Sequence, residues 1–167
     1  PRPPPPEMLM HMPADDVDQG LADWLAEALP PRRKRRKVSL EDARRVTAAG
    51  EDRAREIGQP QNIAVVDAGG NLVSHVRMDG AWIGSVDIAI NKAFTARAFD
   101  LPTADLAANS QPGGQFYGIQ ESNKGRVVIF AGGIPLTRDG DVVGAVGVSG
   151  GDREQDLTVA EAAAAAF

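Results

Sequence analysis

The run DVVGAVGVSG, residues 141–150, constrains the fold more than any other, because valine and alanine are interspersed there with Gly144, Gly147 and Gly150. Its β-rich composition predicts a strand, and a strand keeps interior glycines where something must approach it closely. Two occupants of that space are open: another stretch of backbone, or a flat ligand. The strand sits within FAGGIPLTRDGDVVGAVGVSGGDREQD (130–156), whose glycine content resembles a phosphate-binding loop. The segment has no lysine and no strand-to-helix geometry, so that reading fails. Asp139–Gly140 instead reads as a two-residue hairpin turn between IPLTR and DVVGAVGVSG. RVVIFA (126–131) predicts a further strand ahead of the break at Gly132–Gly133.

Upstream, NIAVVD (62–67) and NLVSHVRM (71–78) form a second hairpin signal, joined by Ala68–Gly69–Gly70. That makes five strands. Helical spacing of Leu40, Ala43, Val46, Thr47, Gly50, Ala54 and Ile57 follows Ser39 in S-L-E-D and ends at Gly58. From Ala81 to Phe99 a second helix is predicted, with Ile83, Val86, Ile90, Phe94 and either Arg97 or Ala98 on one face. Leu101–Pro102 breaks it, TADLAAN (103–109) makes a short helix, and 110–125 has no period and reads as a loop. DREQDLTVAEAAAAAF closes the chain as a helix opened by acidic residues.

Residues 1–37 differ in kind. Residues 1–13 hold six prolines, which favour an extended tether. An amphipathic helix of about four turns is expected over residues 15–29, with Val17, Leu21, Trp24, Leu25 and Leu29 on one face. The basic run RRKRRK (32–37) separates it from a domain at 38–167. Residues 1–37 carry seven Lys/Arg against six Asp/Glu, and the rest eleven against seventeen. An acidic domain argues against nucleic acid as a partner. With no cysteine, thiolate zinc sites and thiol catalysis are excluded. No apolar run nears the roughly 18 residues of a membrane span, so a cytoplasmic protein is expected. The chain opens on Pro1 rather than Met, which leaves room for an upstream segment.

The order of elements, with NIAVVDAGGNLVSHVRMDGA, NKAFTARAF, AGGIPL and GDVVGAVGVSGGDREQDLTVAEAAAA, resembles the GlcG/HbpS family of heme-binding proteins, which includes the C-terminal domain of PduO. The resemblance runs from about Val38 to Phe167. It implies an α/β (α+β) fold, a profilin-like α/β/α sandwich with a five-stranded antiparallel sheet. It also implies homo-oligomers and, in several members, a bound heme or related tetrapyrrole. Members differ in the iron ligand, a threonine or a histidine.

Thr95 and Thr103 are the hydroxyls that this resemblance puts forward as heme-iron ligands, and His75 is the imidazole. Packing or capping is the plainer role for each: Thr103 as the N-cap of TADLAAN, His75 as a hydrogen-bonded structural histidine. Lys92, in the K-A-F-T match, could hold a ligand carboxylate or be a solvated lysine. Arg77 could pair with Asp79 or a heme propionate. Ser149 and Thr95 have no histidine arranged as a base, which removes a nucleophilic triad. Acid–base use of Glu154, Asp156 or Asp67 stays open, with helix-start roles favoured for the first two. Neither a metal cluster nor a nucleotide site is evident.

The expected function is binding of heme or another tetrapyrrole at the domain surface, at a subunit interface. The rival is an enzyme or accessory factor acting on a small carboxylate or diol metabolite. The helix at 15–29 is expected either to fold back on its own domain or to dock this protein, as cargo, onto a shell or assembly protein inside a protein compartment. An anionic membrane is the weaker partner, since the basic run lies beyond the helix rather than along its polar face.

Overall fold

Ser39 opens the first described helix, as its place in S-L-E-D predicts. In the computed structural model, which describes residues 38–167, its hydroxyl accepts a hydrogen bond from the Asp42 amide at 3.0 Å while the Asp42 carboxylate accepts from the Ser39 amide at 3.1 Å. This reciprocal cap opens helix α1 (Leu40–Glu56), which Gly58 ends with a φ of 70°. The hairpin β1 (Asn62–Asp67) and β2 (Leu72–Arg77) follows, then α2 (Gly84–Phe99) and α3 (Thr103–Asn109). Two short 3-10 turns lie in the segment leading to β3 (Gly133–Arg138), β4 (Asp141–Ser149) and α4 (Arg153–Ala165). Asp152 caps α4, accepting from the amides of Glu154 and Gln155. None of the described helices is long and apolar enough to cross a membrane.

The strands form one antiparallel sheet in the order β2-β1-β4-β3. Alternation along β1 sends Ile63 and Val65 to one face and Ala64 and Val66 to the other. Ile63 and Val65 meet Val46 and Ala54 of α1 and Val159 and Ala163 of α4. The opposite face packs on Ala89, Ala93 and Ala96 of α2. The result is helices on both sides of the sheet, an α/β/α arrangement.

Four strands are found where five were expected. Residues 126–131, read as a strand from RVVIFA, make no ladder; the segment is held by a helix instead. The Val128 amide donates to the Thr95 hydroxyl at 3.0 Å, and the Arg126 guanidinium lies 3.6 Å from the Phe94 ring centroid.

The buried face of α2 also differs from expectation. Ser85, Ala89, Lys92, Ala93, Thr95 and Ala96 are buried, while Ile83 is 78% exposed. The strand glycines are the reason. A methyl group on Gly147 would run into the carbonyl of Ala89 and the amide of Ala93, and one on Gly133 would lie 2.5 Å from the Lys92 carbonyl. Helix backbone therefore rests on the sheet with no side chain between, and only small residues fit on that helix face. Gly144 is likewise pressed by the Val66 carbonyl and by Val38, so another backbone is what the glycines of β4 admit. The helix expected over 15–29, with Val17, Leu21, Trp24, Leu25 and Leu29, lies outside the described residues.

Candidate functional site

Asn62 and Ser149 face each other across β1 and β4, at the end of the sheet where α2 begins. The Asn62 side-chain amide donates to the Trp82 carbonyl at 3.0 Å, pinning the turn that leads into α2. Here a cleft of about 410 Å³ opens between α2, the start of α4 and the 129–131 segment. The volume falls within the roughly 300–1,000 Å³ usual for small-molecule sites. Trp82 and Phe130, 67% and 59% exposed, stand at its rim, with Ile88, Ile129, Ala131 and Ala107 beside them. Its floor is polar and buried: Ser85, Ser149, Lys92 and Asp156. Gln111, Gly151 and Arg153 complete the lining.

The floor is organised by one ion pair. The Lys92 ammonium reaches Asp156 Oδ2 at 2.6 Å and donates to the Val148 carbonyl at 2.8 Å. Asp156 Oδ1 accepts from the amides of Gly150, at 3.1 Å, and Gly151, at 2.8 Å. Burial pushes the Lys92 pKa down, and the facing Asp156 charge opposes that shift. Three elements thus meet at a pair of charges: the middle of α2, the end of β4 and the first turn of α4.

Of the five residues put forward from the sequence, Lys92 lines the cleft, and it is a buried ion-paired lysine rather than a solvated one. Thr95 is buried; its hydroxyl donates to the Asn91 carbonyl at 2.7 Å and accepts from Val128. Thr103 is buried too, with its hydroxyl accepting from the Gly133 amide at 2.9 Å. It is the first residue of α3 rather than its N-cap; Pro102 takes that position. Proline fixes the φ needed there and its carbonyl accepts from the Leu106 amide, so no hydroxyl cap is required. His75 lies on β2 opposite Ala64, half-buried, with Nε2 lacking a hydrogen-bond partner; burial lowers its pKa. Arg77 is exposed at the end of β2, and neither it nor His75 lines the cleft. Asp67 accepts from the amides of Gly69 and Asn71 and shapes the β1–β2 turn. Glu154 is exposed at the start of α4. Among the described residues no group of three or more His, Asp or Glu could hold a metal ion.

Sequence reasoning missed Trp82, Phe130 and Arg153, and it undervalued Asp156. Trp82 carried a signal in its bulk just ahead of a helix, but that bulk says as much for a core as for a rim. Phe130 was absorbed into a strand that does not form.

Residues 38–165 match a family model described as haem degrading protein HbpS-like. The chain is 45% identical over 130 residues to an uncharacterized 15.0 kDa protein from the dhaT-dhaS intergenic region of Citrobacter freundii, covering 78% of this chain and 92% of that one. It is 38% identical over 147 residues to the corrinoid adenosyltransferase PduO of Salmonella typhimurium, covering 86% of this chain but 44% of that protein's length. Among solved structures it resembles the PduOC:heme complex with a TM-score of 0.74 and 39% identity, covering 77% of this chain and 94% of that one.

Proposed function

Since the chain belongs to the HbpS-like family that embraces GlcG and the PduO C-terminal domain, we propose that it binds heme or another tetrapyrrole in the cleft rimmed by Trp82 and Phe130. The observation that carries this reading is the cleft's construction on a fold shared with a heme complex. A macrocycle is flat and largely apolar, with acidic substituents at one edge. Two exposed aromatic rings and an isoleucine-lined wall suit its faces, and Arg153 at the rim suits its carboxylates. The Lys92–Asp156 pair positions the floor, since it ties α2 to the Gly150–Gly151 loop beneath the ligand. When bound, heme would supply an iron with axial positions to fill; Thr95, Thr103 and His75, the donors that the family resemblance offers, and Arg77, its further propionate partner, all lie outside the lining of this cleft.

Hemin titration tests the reading. A red-shifted Soret band that saturates at a fixed stoichiometry is expected at micromolar hemin. A spectrum matching hemin mixed with an unrelated acidic protein would remove it.

The same reading takes the protein to work as a profilin-like homo-oligomer and takes 1–37 as an appendage of the domain, with residues 15–29 docking it as cargo onto a shell or assembly protein inside a compartment. The apolar set Val17, Leu21, Trp24, Leu25 and Leu29 supports this part. Fusing residues 1–37 to a fluorescent protein in the native host should give foci that disappear with Leu21→Asp and Trp24→Asp. Uniform fluorescence from the unaltered fusion would argue for packing on the chain's own domain.

A further inference from the structure

We infer that the cleft recognises the ring and the carboxylates of a tetrapyrrole rather than its iron, and so takes metal-free porphyrins about as well as heme. The inference rests on tetrapyrrole binding in this cleft. Iron in proteins takes axial ligands with an available lone pair, chiefly His, Met, Cys or Tyr. None of these lines the cleft. Its strongest bases are already committed: Asp156 accepts from Lys92 and from two backbone amides, and Lys92, held as an ammonium by that carboxylate, has no lone pair. Thr95 and Thr103 place their buried hydroxyls on backbone groups. What the cleft does offer is stacking surface, one cation, and the neutral Ser85 and Ser149 hydroxyls and Gln111 amide, which are weak donors to iron. Lys92 is neutralised by Asp156, whereas Arg153 makes no ion pair among the described residues. Its guanidinium is the group left to take a ligand carboxylate, bidentately.

The test uses the full chain carrying Trp24→Phe, so that Trp82 is the remaining tryptophan and reports the cleft by its fluorescence. Three probes are titrated: hemin, protoporphyrin IX and protoporphyrin IX dimethyl ester. Hemin and protoporphyrin IX are expected to quench Trp82 with Kd values within about threefold, and the ester to bind about tenfold more weakly, the loss of one charge-assisted pair. In Arg153→Gln the acid should fall to the level of the ester. Arg153 is exposed, so this substitution is expected to leave the fold intact, with circular dichroism as the check. Quenching by hemin with none by protoporphyrin IX would overturn the inference and leave heme binding standing. Equal affinity for acid and ester in the unaltered protein would overturn it as well. No quenching by any probe would remove binding in this cleft altogether.

Discussion

Lys92 and Asp156, 64 residues apart, meet at 2.6 Å with their side chains 2% and 6% exposed. A buried pair of this kind adds little over an apolar replacement, but removing one partner leaves the other charged and without solvent. Lys92→Met is expected to lower the unfolding free energy by about 3–5 kcal/mol. The double change Lys92→Met/Asp156→Asn should cost less than the two singles added together, read by urea denaturation. Simple additivity would show that the pair is not coupled.

The glycines of β4 give a sharper contrast. Gly147→Ala places a methyl against the backbone of α2, which cannot yield as a flexible side chain would. A loss of about 3 kcal/mol or more is expected, the upper end of overpacking costs. Gly84→Ala, at the first position of α2 with nothing within 4 Å of the added methyl, should instead stabilise by about 0.5 kcal/mol. Equal thermal midpoints for the two variants would contradict the close helix-to-sheet contact.

Thr95→Val removes the acceptor for the Val128 amide and leaves that segment's tie to α2 unmade. About 1–3 kcal/mol of stability should be lost, with Thr95→Ser losing less because it retains the hydroxyl. Hydrogen exchange at Val128 should accelerate in the valine variant. Unchanged exchange there would mean that the segment is held by packing alone.

Asp42 supplies a pH dependence. Hydrogen bonds from Ser39, with Arg45 and Arg138 alongside, hold its carboxyl well below the usual carboxylate range, against the opposing effect of burial. A depressed folded-state pKa favours the folded form wherever the unfolded carboxyl is ionised. The contribution is complete above the unfolded value of about 3.9 and is lost as pH falls below it toward the folded one. Asp42→Asn should therefore be less stable than the parent at pH 7, with the gap starting to narrow as pH falls below about 4 and narrowing further toward the folded-state pKa, in melts recorded across that range. A constant difference between the two would rule out titration of Asp42 as the cause.

Local signals placed most of the fold. Ser39 and Asp152 each stand at a helix start with a partner three residues on, and Asp139–Gly140 is a turn that two residues specify by themselves. Where the sequence misled, the deciding interaction was distant. RVVIFA has a strand's composition, yet its amide at Val128 goes to a hydroxyl 33 residues earlier in the chain. The face of α2 was assigned to its largest apolar residues, because nothing local reveals that Gly133 and Gly147 draw the helix backbone down. The site was the least legible part. Lys92 stood out by resemblance, but its pairing with Asp156, and the cleft that Trp82, Phe130 and Arg153 form around the pair, exist only once α2, β4 and α4 have packed.

The most direct measurement is the hemin affinity of the rim variant Trp82→Ala/Phe130→Ala against the parent, followed at the Soret band. Both side chains are largely exposed, so the fold should survive their removal. Base-to-aromatic stacking contributes about 1–3 kcal/mol for each ring in comparable platforms. The double variant is therefore expected to bind hemin at least tenfold more weakly, with an unchanged thermal midpoint for the ligand-free protein. Hemin affinity equal to that of the parent would contradict the assignment of this cleft as the binding site.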